Sequence, residues 1–262
     1  MSRVSDLAIT PLPAFSDNYL WLLSRGGEAA VVDPGDPVPV LHALAERSLK
    51  LAAILVTHHH GDHVGGVMDL RATGATVYGP RCETIEGVDV GVAGGDRVEV
   101  LGVPFSVLDV PGHTAGHIAY FTDALDPPAV FCGDTLFACG CGRLFEGTPA
   151  QMLASLDRLA QLPGDTRVYC AHEYTLANIR FALAVEPGNA ALRQRALDAR
   201  EIRDRGEPTV PSTIELERAT NPFMRSDADA VRQSAMDRAG AAAGRDRIAT
   251  FAAIRTWKNE FR

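Results

Sequence analysis

Long apolar runs, basic clusters, lysine and cysteine are all scarce in this 262-residue chain. No apolar stretch approaches the roughly 20 residues that a membrane-spanning helix needs, so no bilayer span is expected. The first residues, MSRVSDLAITPLPAFSDNYL, lack the continuous apolar segment and small-residue cleavage pattern of a secretory leader. With a net charge of −8 and no Lys/Arg-rich run, the chain does not offer the broad basic surface that nucleic acid requires. Its five cysteines, Cys82, Cys132, Cys139, Cys141 and Cys170, are odd in number and dispersed, which argues against a disulfide framework and for the cytoplasm. Lysine is nearly absent: Lys50 and Lys258 stand against 23 arginines, so each lysine departs from the chain's own habit. Nothing in the pattern demands a second subunit, and a monomer is expected.

What is present fits an ordinary globular protein: 46% hydrophobic residues, 22% charged residues and a mean hydropathy near zero. Short β-rich runs at 18–24, 29–33, 51–56, 98–101, 103–109, 117–122, 129–132 and 167–170 alternate with Gly/Pro/Asp punctuation. Helical spacing is confined to 37–47, 63–72 and 149–161 in that part of the chain. From Tyr174 onward the texture changes, with Ala, Arg, Glu and Leu at helical spacing over 174–186, 189–205, 226–241 and 243–260, interrupted by Pro208 and Pro211. The pattern predicts a mixed α/β unit over 1–173 and an α-helical unit over 174–262.

Apart from His42, the histidines fall in three short stretches, each after a predicted strand. The first is THHHGDHVGG, 57–66. If the chain stays extended beyond the strand, alternation sets His58, His60 and Asp62 on one side and His59 on the other, with His63 opening a helix. Such a stretch serves two neighbouring cations, one at His58 and His60, the other at Asp62 and His63. The second stretch, VPGHTAGHI, offers His113 as a third ligand for the first ion, with Gly112 free to turn the backbone inward, while His117 reads as a packing residue. FCGDT offers Asp134 and YCAHEYT offers His172, each ordinary alone but repeating the same address at a strand end. If Asp134 bridges, each ion has four nitrogen and oxygen ligands, which suits Zn, Fe or Mn. Two ions about 3.5–4 Å apart lower the pKa of a water between them towards 7, which points to hydrolysis.

The order HxHxDH, PGHTAGH, CGDTLF and AHEYT resembles the metallo-β-lactamase superfamily. Within it, AFSDNYLWLL, CGCGRLFEGT, AHEYTLANIRFAL, NPFMR and IRTWKNEFR resemble the hydroxyacylglutathione hydrolases, the glyoxalase II family, over nearly the whole chain. The resemblance implies an αββα sandwich of two mixed β-sheets with a C-terminal helical domain over the cleft. It implies two divalent metal ions, most simply zinc, with His58, His60 and His113 on one, Asp62, His63 and His172 on the other, and Asp134 shared. It also implies a substrate, S-D-lactoylglutathione, cleaved to D-lactate and glutathione as the second step of methylglyoxal detoxification. Asp62 and Asp134 then hold metal and orient the attacking water and do not form an acid/base pair.

The family's glutathione contacts fall on Arg143, Phe145, Tyr174, Arg255 and Lys258. In an acidic protein, Arg143, Arg255 and Lys258 are apt partners for the ligand's carboxylates. Arg255 and Lys258, three apart in a predicted helix, share a face. Phe145 departs from the tyrosine common at that position and has no hydroxyl to donate. The Cys139/Cys141 pair lies in the glycine-rich substrate loop and not among the metal ligands. A glutathione persulfide dioxygenase with mononuclear iron, sharing HxHxDH, is the alternative; the helical tail and GRLFEGT favour the hydrolase.

Overall fold

The computed structural model describes residues 6–261; the outermost ends of the two expected units, 1–5 and 262, lie outside the described residues. The chain opens with a β-hairpin and a third strand, β1 (Ala8–Ala14), β2 (Asn18–Arg25) and β3 (Glu28–Val32), followed by α1 (Pro37–Arg47) and β4 (Lys50–Leu55). Two short helices, α2 (Gly61–Val64) and α3 (Val67–Arg71), lead to β5 (Thr76–Pro80) and β6 (Val90–Val92). These six strands form one sheet in sequential order, antiparallel through β3 and parallel beyond it.

The second sheet is built from β7 (Arg97–Val100), β8 (Val103–Asp109), β9 (Ile118–Thr122) and β10 (Ala129–Gly133). A small hairpin, β11 (Leu136–Phe137) and β12 (Gly140–Cys141), and helix α4 (Pro149–Ala160) precede β13 (Arg167–Cys170), which pairs parallel to β10. The remainder is helical, α5 (Thr175–Val185), α6 (Ala190–Asp204), α7 (Ile214–Thr220), α8 (Asp229–Ala239) and α9 (Arg247–Glu260), except that β14 (Ser212–Thr213) returns to pair antiparallel with β13. The second sheet thus runs β14-β13-β10-β9-β8-β7, and both sheets are mixed, as expected.

Alternation within the strands explains the layers. Trp21, Leu23, Ala53 and Leu55 enter the core shared with Phe105, Tyr120, Phe131 and Val168 of the second sheet. Their neighbours Leu20, Leu22, Ile54 and Val56 enter a separate core with Val40 and Leu44 of α1 and Val67 and Leu70 of α3. Strands covered on both faces carry continuous apolar runs, which is why these were visible in the sequence. The inter-sheet core continues without a break into Phe181, Phe223, Phe251 and Ile254 of the helical region.

Several elements were not expected. β1 carries Pro11 and Pro13, yet it is an edge strand, where a missing N–H is tolerated. β6, β11, β12 and β14 are too short to show a period, and β5 ends in Gly79–Pro80, which interrupts its strand pattern. The helix expected over 63–72 is two helices: it begins earlier, at Gly61, and breaks at Gly65–Gly66, where the Gly66 amide bonds the Pro34 carbonyl at 2.8 Å.

Candidate metal centre and ligand cleft

His58, His60, His113, Asp134 and His172 follow the ends of strands β4, β8, β10 and β13, and Asp62 and His63 come from the helix just beyond β4. After β4, Thr57 is fixed by Asp33, whose Oδ1 accepts the Thr57 amide at 2.7 Å and whose Oδ2 accepts its hydroxyl at 2.8 Å. His58 and His60 then point inward and His59 points away, bonding Glu83 at 2.9 Å. The expected alternation stops there. His60 is the last extended residue, and Asp62 and His63 project from the first turn of α2. Asp62 therefore joins His63 and His172 because it is helical, not because the strand continues.

Three imidazole nitrogens converge: His60 Nδ1 lies 3.1 Å from His58 Nε2 and 3.0 Å from His113 Nε2. His113 donates its Nδ1–H to the Arg143 carbonyl at 2.9 Å, so its Nε2 presents a lone pair to the cluster when the ring is neutral. Gly112 turns the loop with φ +149°, as its position suggested. Burial, then the neighbouring His63, lowers the His58 pKa well below the ordinary histidine value, and burial likewise lowers those of His60 and His113.

Beside this trio, His172 donates Nδ1–H to Asp17 at 2.8 Å and turns Nε2 towards Asp62 and Asp134, 3.4 and 3.3 Å away. His63 Nε2 is 3.5 Å from carboxylate oxygens of the same two aspartates. Asn18 Nδ2 holds Asp62 at 3.1 Å. Asp134 spans both groups: Oδ1 faces His63 and His172, and Oδ2 lies 3.3 Å from His113 Nε2. Burial opposes charge on His63 and His172, but the carboxylates outweigh it, raising His63 well above the histidine value and His172 to about 10. Asp62 is lowered chiefly by hydrogen bonds to His172 and His63; Asp134 is lowered well below the carboxylate range by the surrounding histidines despite its burial.

The buried atoms His63 Nε2 and Asp134 Oδ1 have no hydrogen-bond partner in line. A buried polar atom without a partner is costly. Converging lone pairs on one side and partnerless buried ligand atoms on the other fit bound cations. His58, His60 and His113, then His58, His63 and Asp134, then Asp62, His63 and His172 each bring ligand atoms within 4.8 Å of one another.

His117 has the packing role expected of it. It is buried, stacks on His58 with ring centroids 4.5 Å apart, and accepts the Asp134 amide at Nε2, 3.2 Å away. Cys139 and Cys141 are buried free thiols outside the metal groupings among the described residues.

A cleft of about 790 Å³ opens over the cluster, lined by His60, Asp62, His113, Asp134 and His172 together with Arg143, Phe145, Tyr174, Arg255 and Lys258. Phe145, 62% exposed, packs edge-on against His60 and His113. Tyr174 stacks flat on His172 at 4.7 Å. Arg255 is not a solvated helix residue: it is buried, its Nη1 donates to the Cys141 carbonyl at 2.8 Å, and its guanidinium lies 4.9 Å from the Phe223 ring centroid. Lys258 donates to the Ala177 carbonyl at 3.3 Å, and burial, then Arg255, Arg180 and Arg143, lower its pKa to about 8. A side chain at Gly142 is excluded, since its Cβ would lie 2.0 Å from the Asp134 carbonyl oxygen.

Sequence reasoning missed the residues that orient these groups. Asp33 had a readable signal, an acid closing an apolar strand before Pro-Gly. Asp17, Asn18, Asn178 and Asn221 had none beyond lying in family-like motifs.

Two mixed sheets flanked by helices, with a His/Asp cluster at the strand ends, define the metallo-β-lactamase fold, and residues 15–172 match the model of the metallo-beta-lactamase superfamily. Residues 173–261 match the model described as hydroxyacylglutathione hydrolase C-terminus. Proteins named hydroxyacylglutathione hydrolase are similar along the full length: 56% identical in Pseudomonas aeruginosa and 54% in Albidiferax ferrireducens, each over 97% of this chain and 100% of the relative. Among solved structures, ETHE1 from Myxococcus xanthus superposes with a TM-score of 0.66 at 26% identity, covering 96% of this chain and 90% of that one. TTHA1623 in a di-iron-bound form gives 0.57 at 28%, covering 82% and 99%. The chain belongs to the hydroxyacylglutathione hydrolase family.

Proposed function

We propose that this chain is a dinuclear, metal-dependent thioester hydrolase that cleaves S-D-lactoylglutathione and related S-2-hydroxyacylglutathiones to glutathione and the free 2-hydroxy acid. The observation that carries the reading is a single cleft that joins a buried His/Asp cluster to three cations in an acidic protein. Names of relatives at 54–56% identity support it.

His58, His60 and His113 would hold one ion, Asp62, His63 and His172 the other, with Asp134 between them. The nitrogen and oxygen donors suit zinc, with iron or manganese as alternatives, and the di-iron form of TTHA1623 supports a two-ion reading. Bound there, the ions supply Lewis acidity and a nucleophilic water at neutral pH.

The chain's own residues do the rest. Arg143, Arg255 and Lys258 receive the ligand's carboxylates through charge-assisted hydrogen bonds. Phe145 packs against the ligand without donating to it, and Tyr174, stacked on His172, offers its phenol. The Arg143 carbonyl fixes the His113 ring and Asp17 fixes that of His172, so both present Nε2 to the cluster. When the C–S bond breaks, a thiolate departs and takes up a proton from solvent, so no strong general acid is needed. In this reading residues 1–173 carry the metal side and 174–262 contribute Tyr174, Arg255 and Lys258. The enzyme acts as a cytoplasmic monomer, in keeping with its free cysteines, and among the described residues no helix is long and apolar enough to cross a membrane.

Relatives at this identity and the match over 173–261 support the hydrolase over a mononuclear-iron persulfide dioxygenase. The test is elemental metal analysis alongside hydrolysis of S-D-lactoylglutathione, followed by loss of thioester absorbance. Turnover with two equivalents of metal is expected. Oxygen consumption with glutathione persulfide and no thioester loss would reverse the assignment.

A further inference from the structure

The hairpin β11–β12 is gripped by side chains from the helical region. The Ala138 carbonyl accepts from Asn178 Nδ2 at 3.1 Å, the Gly140 and Phe137 carbonyls from Asn221 Nδ2 at 2.9 and 3.3 Å, and the Cys141 carbonyl from Arg255. At the turn, Cys139 takes a left-handed φ of +56° and donates its amide to Glu217 Oε2 at 2.9 Å. Glu217 is wholly buried, and its Oε2 also accepts from Asn221 at 3.0 Å. Its Oε1 meets Ser212 and Arg195 Nη2, the latter at 2.5 Å, and Arg195 in turn bonds Thr220 at 2.6 Å.

A buried ion pair is weak evidence for stability, because desolvating both charges offsets most of their attraction. Here the pair has a direction: the carboxylate oxygen turned away from Arg195 is spent on a strained turn and on the amide that holds the next carbonyls. Immediately beyond the hairpin come Gly142, whose amide bonds the Thr135 carbonyl at 3.2 Å, and Arg143, whose carbonyl accepts from the ligand-cluster residue His113. The hairpin therefore stands between the buried pair and the cleft.

We propose that Glu217, Asn221 and Arg195 are positioning residues that hold the Phe137–Cys141 hairpin so that Arg143 and Phe145 meet the glutathione moiety. They set recognition of the substrate's peptide part and leave the thioester chemistry to the cluster. The inference rests on the proposed glutathione-thioester activity.

The test compares two substrates in Asn221→Ala and Glu217→Gln: S-D-lactoylglutathione, and S-lactoyl-N-acetylcysteamine, which has the same thioester without the two carboxylates. With one or two hydrogen bonds to the hairpin removed, KM for the glutathione thioester should rise about tenfold. Metal content, kcat, and kcat/KM for the truncated thioester should stay within about twofold, and Asn221→Gln should recover part of the loss. If a variant does not fold, Ser212→Ala, which removes one contact to Glu217 Oε1 away from the cleft, is read in the same way and should show a smaller rise in KM. A lower Tm with unchanged KM would make the cluster purely structural and overturn the proposal. So would an equal loss on both substrates, or a loss of metal. Failure of the wild-type protein to hydrolyse the glutathione thioester, while it cleaves the truncated one, would instead count against the proposed function.

Discussion

The metal side and the cationic side of the cleft hold charge in different ways. At the cluster, seven side chains from four strand ends and one helical turn crowd together, mostly buried, and His113 and His172 each have the second ring nitrogen committed to a neighbour, the Arg143 carbonyl and Asp17. On the cationic side, Arg143 is exposed, Lys258 is half-buried, and only Arg255 is locked by the hairpin. In the first arrangement the ligand atoms interlock, each lying within 4.8 Å of others in its group. In the second, the three cations are held in different degrees, so under the proposed function each should contribute separately to binding.

The sharpest test of that contrast is Asp134→Ala. Removing the carboxylate that faces both histidine groups should empty the cluster and lower kcat about 1000-fold, roughly 4 kcal/mol of barrier. Metal analysis and turnover on one sample check it, and full thioesterase activity in this variant would sink the two-ion reading.

A smaller effect separates the two halves of the cluster. Asp17→Ala frees the His172 ring without touching His58, His60 or His113. Metal affinity on the His172 side should fall about 10–100-fold, so dialysis against a weak chelator should leave about one ion in the variant where wild type keeps two. Simultaneous loss of both would show that the halves are not independent.

The mildest effect belongs to the cationic side. Burial, together with Arg255, Arg180 and Arg143, lowers the Lys258 pKa to about 8, against a smaller opposing influence from Cys141. Lys258 is therefore charged below about pH 8 and loses its proton as pH rises through that value. KM for the anionic substrate should rise across that window by up to about tenfold, the scale of one hydrogen bond to a charged group. Lys258→Arg, charged throughout, should flatten the profile. An inflection that persists in the arginine variant would assign the titration elsewhere.

Much of this was legible because chemistry and local pattern coincide. His58, His60, Asp62 and His63 sit within six positions after an apolar strand, and His113, Asp134 and His172 repeat the same address. The exact pose of Asp62 was not legible, since extended alternation and an early helix both deliver it to the cluster. The residues that orient the ligands were hidden for a different reason. Asp17 meets His172 across 155 positions and Glu217 meets Cys139 across 78, and no local period encodes such pairings. In the helical region, propensity exposed α5, α6, α8 and α9 but missed the seven-residue α7 and Ser212–Thr213, whose two residues are strand only because β13 is beside them.

That two-residue strand has a consequence for dissecting the protein. Ser212 and Thr213 cover the outer edge of β13, pairing with Val168 and Arg167. A sandwich cut after residue 173 would bare that edge, with its unpaired N–H and C=O groups open to another chain. The excised piece should emerge as an aggregating sheet and not as a smaller enzyme, a result that size-exclusion chromatography would read directly.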